Sequence, residues 1–145
     1  MSGVLRPRSH SLPSGFARFV VEKFGHGPFL VIGREGDELE RQFRAVEATA
    51  TVFASVSDLP AALPQNGVTA RGGLAIWFYP HDNAGDAPAA EALAAAAENV
   101  LLVPETGGQN SGRRPELVRH FANAGLLPDY NCDLGVLEPG ALHLV

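Results

Sequence analysis

Apolar positions along this chain follow two rhythms that alternate. Phe16, Phe19, Val20 and Phe24 recur at helical spacing, and Gly25 follows as a C-cap, which predicts a first helix. Phe29-Leu30-Val31-Ile32 is a short unbroken apolar run, the pattern of a strand buried on both faces. Leu39, Phe43 and Val46 then form an i, i+4, i+7 stripe. On that second helix Asp37 with Arg41, and Glu40 with Arg44, are i, i+4 pairs in the favourable order, and Asp37 and Glu38 lie at its positive end. Residues 49–56 are β-branched and predict a second strand. Ser57-Asp58-Leu59-Pro60 opens a short helical turn, which Pro64-Gln65-Asn66-Gly67 breaks. Residues 74–79 (Leu-Ala-Ile-Trp-Phe-Tyr) are the most apolar run and predict a central strand, ended by Pro80.

The second half repeats the rhythm. Residues 81–88 form a polar loop, and the alanine-rich stretch 89–98 is helical by propensity. Residues 100–103 predict a further strand, ended by Pro104. A Gly, Asn and Ser loop follows over 106–114. Pro115 then marks a helix start, Leu117, Phe121 and Ala124 form its stripe, and Gly125 caps it. Residues 130–136 and 141–145, separated by Glu138-Pro139-Gly140, predict a closing hairpin. Alternating strand and helix implies parallel pairing through right-handed crossovers. The final turn is too short for a crossover, so the last pair is antiparallel. The predicted fold is α/β: a three-layer, Rossmann-like, mostly parallel sheet with a C-terminal antiparallel hairpin. Residues 1–13 mix Arg, Pro, Ser and Gly and predict a disordered arm, with one domain over 14–145.

Composition narrows the function classes. The chain has 145 residues, 46% hydrophobic and 19% charged, which is a globular composition. A net charge of -5 argues against broad nucleic-acid or anionic-membrane binding. No run approaches the roughly 20 apolar residues of a membrane span. The first ten residues lack an apolar signal core, and the single Cys132 has no internal disulfide partner. A cytoplasmic protein is the expectation.

The candidate chemistry lies at strand ends. A strand that stops at Gly33, with Gly36 three residues on and a helix beginning, reads as a ligand-facing corner of an α/β sheet. Arg34 and Glu35 project into the space beyond that corner, where they line it or pair with each other and fill it. The Gly-x-Gly-x-x-Gly spacing of dinucleotide sites is absent. Tyr79-Pro80-His81-Asp82 leaves the end of the central strand. An imidazole is the side-chain type suited to taking a proton from an acceptor near neutrality, so His81 is the candidate base and Asp82 or Asp86 orients it; the plainer reading is a polar loop with Asp86 as a helix cap. His10, His26, His81, His120 and His143 have no zinc spacing, so no metal site is expected. Trp77 and Phe78 are expected on opposite faces of the sheet as core.

This order of elements resembles the class I S-adenosylmethionine-dependent methyltransferases. Phe29-Leu30-Val31-Ile32-Gly33 is similar to their first strand and opening glycine, Leu74-Ala75-Ile76-Trp77-Phe78-Tyr79 to their fourth strand, and Asn99-Val100-Leu101-Leu102-Val103 to their fifth. Arg114 to Leu126 resembles the helix before their hairpin. The resemblance implies S-adenosylmethionine as cofactor, bordered by Gly33, Arg34, Glu35, Gly36, Asp58 and Tyr79. Asp58 is then the acceptor for the ribose hydroxyls, and His81 and Asp82 lie beside a small or sugar-like methyl acceptor. Val31, Glu35 and Asp37 stand where the family carries an acid and two further glycines. Those departures favour a second reading: a non-catalytic module of the same fold that binds or assembles with a partner protein or forms a homodimer.

Overall fold

The computed structural model describes residues 15–33, 36–59, 73–79, 86–104, 114–129 and 141–145. Helix α1 (Phe16–Phe24) leads to strand β1 (Phe29–Ile32), helix α2 (Gly36–Ala45) and strand β2 (Ala50–Phe53). A single 3-10 turn (Val56–Asp58) follows, then β3 (Leu74–Tyr79), α3 (Asp86–Ala96), β4 (Asn99–Pro104), α4 (Arg114–Asn123) and β5 (Leu142–Leu144).

The five strands form one sheet in the order β2-β1-β3-β4-β5. β1 pairs in parallel with β2 and β3, β3 in parallel with β4, and β4 antiparallel with β5. The predicted mostly parallel α/β sheet is therefore the observed one. Strand register sets which side chains share a face. Phe29, Val31, Leu74, Ile76, Phe78, Leu101 and Val103 pack with Phe16, Ala17 and Val20 of α1 and Leu39 and Phe43 of α2. Leu30, Ile32, Ala75, Trp77, Tyr79, Val100 and Leu102 pack with Leu93 of α3 and Leu117 and Phe121 of α4. Trp77 and Phe78 thus face opposite sides. The layers also agree with right-handed crossovers. The chain steps one way from β1 to β2 with α2 on one face, and the other way from β3 to β4 with α3 on the opposite face.

Helix ends are set by local chemistry. Gly25 (φ 93) closes α1, its N–H donating to the Val21 carbonyl at 2.8 Å. α4 ends in a Schellman motif: Leu126 N–H reaches the Phe121 carbonyl at 2.9 Å, Gly125 N–H reaches Ala122 at 3.0 Å, and Gly125 has φ 102. α2 ends the same way, with Ala48 N–H on Phe43 and Glu47 N–H on Arg44, but here Glu47 takes the left-handed position at φ 62. Arg44 pairs with Glu40 at 2.6 Å as predicted, whereas Arg41 turns to Glu38.

Several boundaries differ from the sequence reading: α3 spans Asp86–Ala96 rather than 89–98, β4 spans Asn99–Pro104 rather than 100–103, and the larger differences are at β2 and the C-terminal end. The second strand ends at Phe53 rather than residue 56, because Ser55 and Asp58 close the 3-10 turn. At the C-terminal end, β5 finds a second partner just after α4. Leu127 and Val145 exchange two backbone hydrogen bonds of 2.8 Å, Asp129 N–H donates to the His143 carbonyl at 2.8 Å, and Pro128 bridges Leu144. The final strand is therefore flanked by β4 on one side and residues 127–129 on the other. The predicted first hairpin arm, residues 130–136, lies outside the described residues, as does the arm 1–13.

Candidate functional site

The parallel strands β1–β4 all point the same way, so their carboxyl ends share one rim of the sheet. Between β1 and β3 the chain's direction of travel across the sheet reverses, since β2 lies on one side of β1 and β3 on the other. Crevices at such reversals are where α/β sheets hold ligands.

Gly33 sits at this reversal. Its N–H donates to the Phe53 carbonyl at 3.0 Å, which ties the end of β1 to the end of β2. Its φ is 124, and a Cβ there would lie 2.8 Å from the Phe78 Cβ and 2.9 Å from the Phe78 carbonyl oxygen. Only glycine lets β1 turn this close to β3. Gly36 opens α2. Its N–H donates to the Gly33 carbonyl at 3.1 Å, and a Cβ would lie 2.6 Å from Val52 Cγ1. Both glycines are thus explained by packing, and both amides are answered by backbone carbonyls. Arg34 and Glu35, between them, lie outside the described residues.

Asp58 ends the 3-10 turn after β2 and is exposed. Its N–H donates to the Ser55 carbonyl at 3.1 Å, and its carboxylate accepts from the Ser55 N–H at a long 3.4 Å. Ser55 and Ser57 hydroxyls meet at 2.8 Å. The carboxylate is held loosely, at the rim, beside the end of β2. Tyr79 is the last residue of β3, but its side chain is buried on the α3/α4 face, its ring 6.1 Å from that of Trp77. The sheet's pleat directs it into the core, away from the open rim. His81 and Asp82 lie outside the described residues, so of the predicted site Gly33, Gly36 and Asp58 are described just past strand carboxyl ends, with no contact recorded between Asp58 and the two glycines.

An open groove of about 290 Å³ lies at the opposite end of the sheet, between α1 and the turn from α2 to β2. Arg18, Glu22, His26 and Glu47 line it with charges of both signs. Among the described residues no group of three His, Cys, Asp or Glu is arranged to hold a metal, and no helix is long and apolar enough to cross a membrane.

The buried ionisable residue that sequence reasoning missed is His143, 5% exposed in β5. Its Nε2 is 2.9 Å from Asn99 Oδ1, and its Nδ1 is 3.2 Å from Asp129 Oδ2. Burial lowers its pKa from the ordinary 6.5; the Asp129 carboxylate opposes that shift, and the Lys23 charge adds to it. A histidine between two leucines of a strand was the available signal. Its partners are contributed by β4 and by residues just past α4, so spacing along the chain could not show them.

This chain matches no protein-family model, no curated protein and no solved structure.

Proposed function

We propose that this chain takes S-adenosylmethionine at the rim where β1 and β3 diverge and serves methyl transfer to a small or sugar-like acceptor. The supporting observation is the reversal of strand order at β1, with the tight Gly33 turn at its mouth. Asp58 adds a suitable acceptor: an exposed carboxylate offers two oxygens to a vicinal diol. S-adenosylmethionine supplies a sulfonium methyl, whose transfer needs alignment more than acid–base help. The chain's own task is alignment. Gly33 and Gly36 keep the turn flat against the sheet, Arg34 and Glu35 would contact the cofactor, and Asp58 would hold the ribose. His81 takes a proton from the acceptor hydroxyl or amine, and Asp82 orients its ring.

One observation favours a second reading, a non-catalytic module that binds a partner protein or a second copy. The Gly33 and Gly36 amides already have carbonyl partners, and Asp58 leans on its own turn. In that reading the glycines serve packing alone, since a fold by itself does not assign a function.

A thermal-shift titration with S-adenosylmethionine and S-adenosylhomocysteine separates the two. Ligand at 100 times its Kd should raise stability by about 2.7 kcal/mol. Asp58→Ala should weaken binding about tenfold, the loss of one charge-assisted contact, with a smaller loss of unliganded stability from the long Ser55 N–H contact it also removes. No shift at millimolar ligand overturns the methyltransferase reading and leaves the module.

A further inference from the structure

The two edges of the sheet are built differently. Among the described residues, β2 is outermost at one edge and residues 127–129 are outermost at the other. The segment 127–129 contains Pro128, which has no amide proton, and the charged Asp129; both residue types blunt an edge against further pairing. β2 has neither. Residues 48–54 (Ala-Thr-Ala-Thr-Val-Phe-Ala) contain no charge, no proline and no glycine. The register with β1 runs from Phe29 to Ile32 without a bulge.

The ladder fixes which groups point outward. Phe29 N–H donates to the Thr49 carbonyl, and Gly33 N–H to the Phe53 carbonyl. Bonding residues alternate along a strand, so Thr49, Thr51 and Phe53 direct their backbone groups to β1. Ala50 and Val52 turn theirs the other way, where no described strand pairs with them. Their side chains pack on the α2 face, with Val52 against Gly36. Thr51 pairs with Leu30 on the α3 and α4 face and is half-buried.

We propose that β2 is the seam of a symmetric dimer, in which the β2 strands of two copies pair antiparallel about a two-fold axis at Thr51 and join the two sheets. Ala50 then lies opposite Val52 of the second copy, and their outward amides and carbonyls exchange about four hydrogen bonds. Thr51 lies opposite Thr51 of the second copy, on the axis. The pairing is isologous, so it closes at two copies. Charge along α2 favours a second copy as the occupant. α2 covers β1 and β2, and the axis sets it antiparallel beside its own copy. Its first turn carries Asp37 and Glu38, while Arg41 and Arg44 are exposed further along. The acidic end of each helix therefore meets the basic end of the other. A four-residue seam with one helix on each side is a small interface, and its affinity is micromolar or weaker. The dimer rests on the second reading above, whose second copy it places on one surface, and it makes no demand on the β1–β3 rim.

Sedimentation equilibrium on the full chain, spanning about 1 μM to 1 mM, should show monomer passing to dimer and no larger species. Over the same range the Ala50 and Val52 amides of the unaltered chain should exchange more slowly as concentration rises, while the β3 amides stay constant. Thr51→Lys and Thr51→Glu each set like charges face to face on the axis and should weaken dimerisation about tenfold or more. Mixed in equal amounts, the two variants set opposite charges together and should dimerise again. Ala50→Pro removes an outward amide and none that bonds β1, and should weaken the dimer likewise. A chain that stays monomeric at every concentration overturns the proposal and the second-copy form of that reading together. A dimer that withstands all three substitutions, or leaves exchange at Ala50 and Val52 independent of concentration, overturns this surface alone. Charge variants that stay apart on mixing overturn the two-fold pairing at Thr51.

Discussion

The parallel strands and the antiparallel end hold one sheet together by different means. In β1, β3 and β4 the described side chains facing either helix layer are almost all apolar, and the backbone comes close wherever glycine allows it, at Gly33 and Gly36. At β5 the same sheet turns antiparallel, and a buried imidazole shares the centre of a three-residue strand with two leucines. His143 is the buried charged or polar residue among the described core positions. The difference is one of sensitivities. Apolar close packing responds to volume and hardly to pH, because no group within it changes charge near neutrality. A hydrogen-bonded histidine responds to protons and to loss of its partners.

The largest expected effect tests the volume side. Phe78→Ala empties a fully buried position between β1 and β4 and should cost about 3–5 kcal/mol. Urea midpoints at pH 7 and at pH 5.5 should show the same loss; a loss that changes with pH would break the contrast. Gly33→Ala comes next, at about 2–3 kcal/mol, because its methyl meets the Phe78 backbone and its φ of 124 is unfavourable for any other residue. The same equilibrium unfolding curves measure it, and a neutral result would mean that the β1 turn has room to move. His143→Gln should cost about 1–2 kcal/mol at pH 7, where Asn99 or Asp129 loses a partner. That cost should shrink toward pH 5.5, because the unfolded wild-type chain takes up a proton on this imidazole more readily than the buried ring does; a cost that grows on acidification would reverse the assigned sign. The smallest effect is a gain. Glu47→Gly should raise stability by about 0.5–1 kcal/mol, because Glu47 occupies the left-handed position that Gly125 fills at the matching end of α4. Thermal melting at low salt is sufficient to detect it.

Most of the sheet was legible in the sequence because buried parallel strands write unbroken apolar runs. Residues 29–32 and 74–79 are such runs, and their observed bounds are the same. Amphipathic spacing did the same for α1 and for Leu39 and Phe43 of α2. β2 was read too long because β-branched composition extends past Phe53, while the Ser55 and Asp58 turn depends on backbone geometry that composition does not carry. The candidate site was less legible. Gly33 and Gly36 do mark a turn, but the contacts that require glycine come from Phe78 and Val52, far along the chain. Tyr79 reads as a rim residue by its place at a strand end, and the pleat sends it into the core instead. Asp129 gave no local signal at all, since its meaning depends on a strand that returns to it from residue 143.

A final strand that slots between two earlier neighbours has a consequence for assembly. β4 and the segment after α4 each pair with β5, one from either side, through backbone amides and carbonyls. Until Leu142–Leu144 pairs with them, the amides and carbonyls it satisfies on either side are open backbone edges. A short extended peptide copying this segment is then a natural competitor for it, admitted while the protein is young and shut out once the slot is filled.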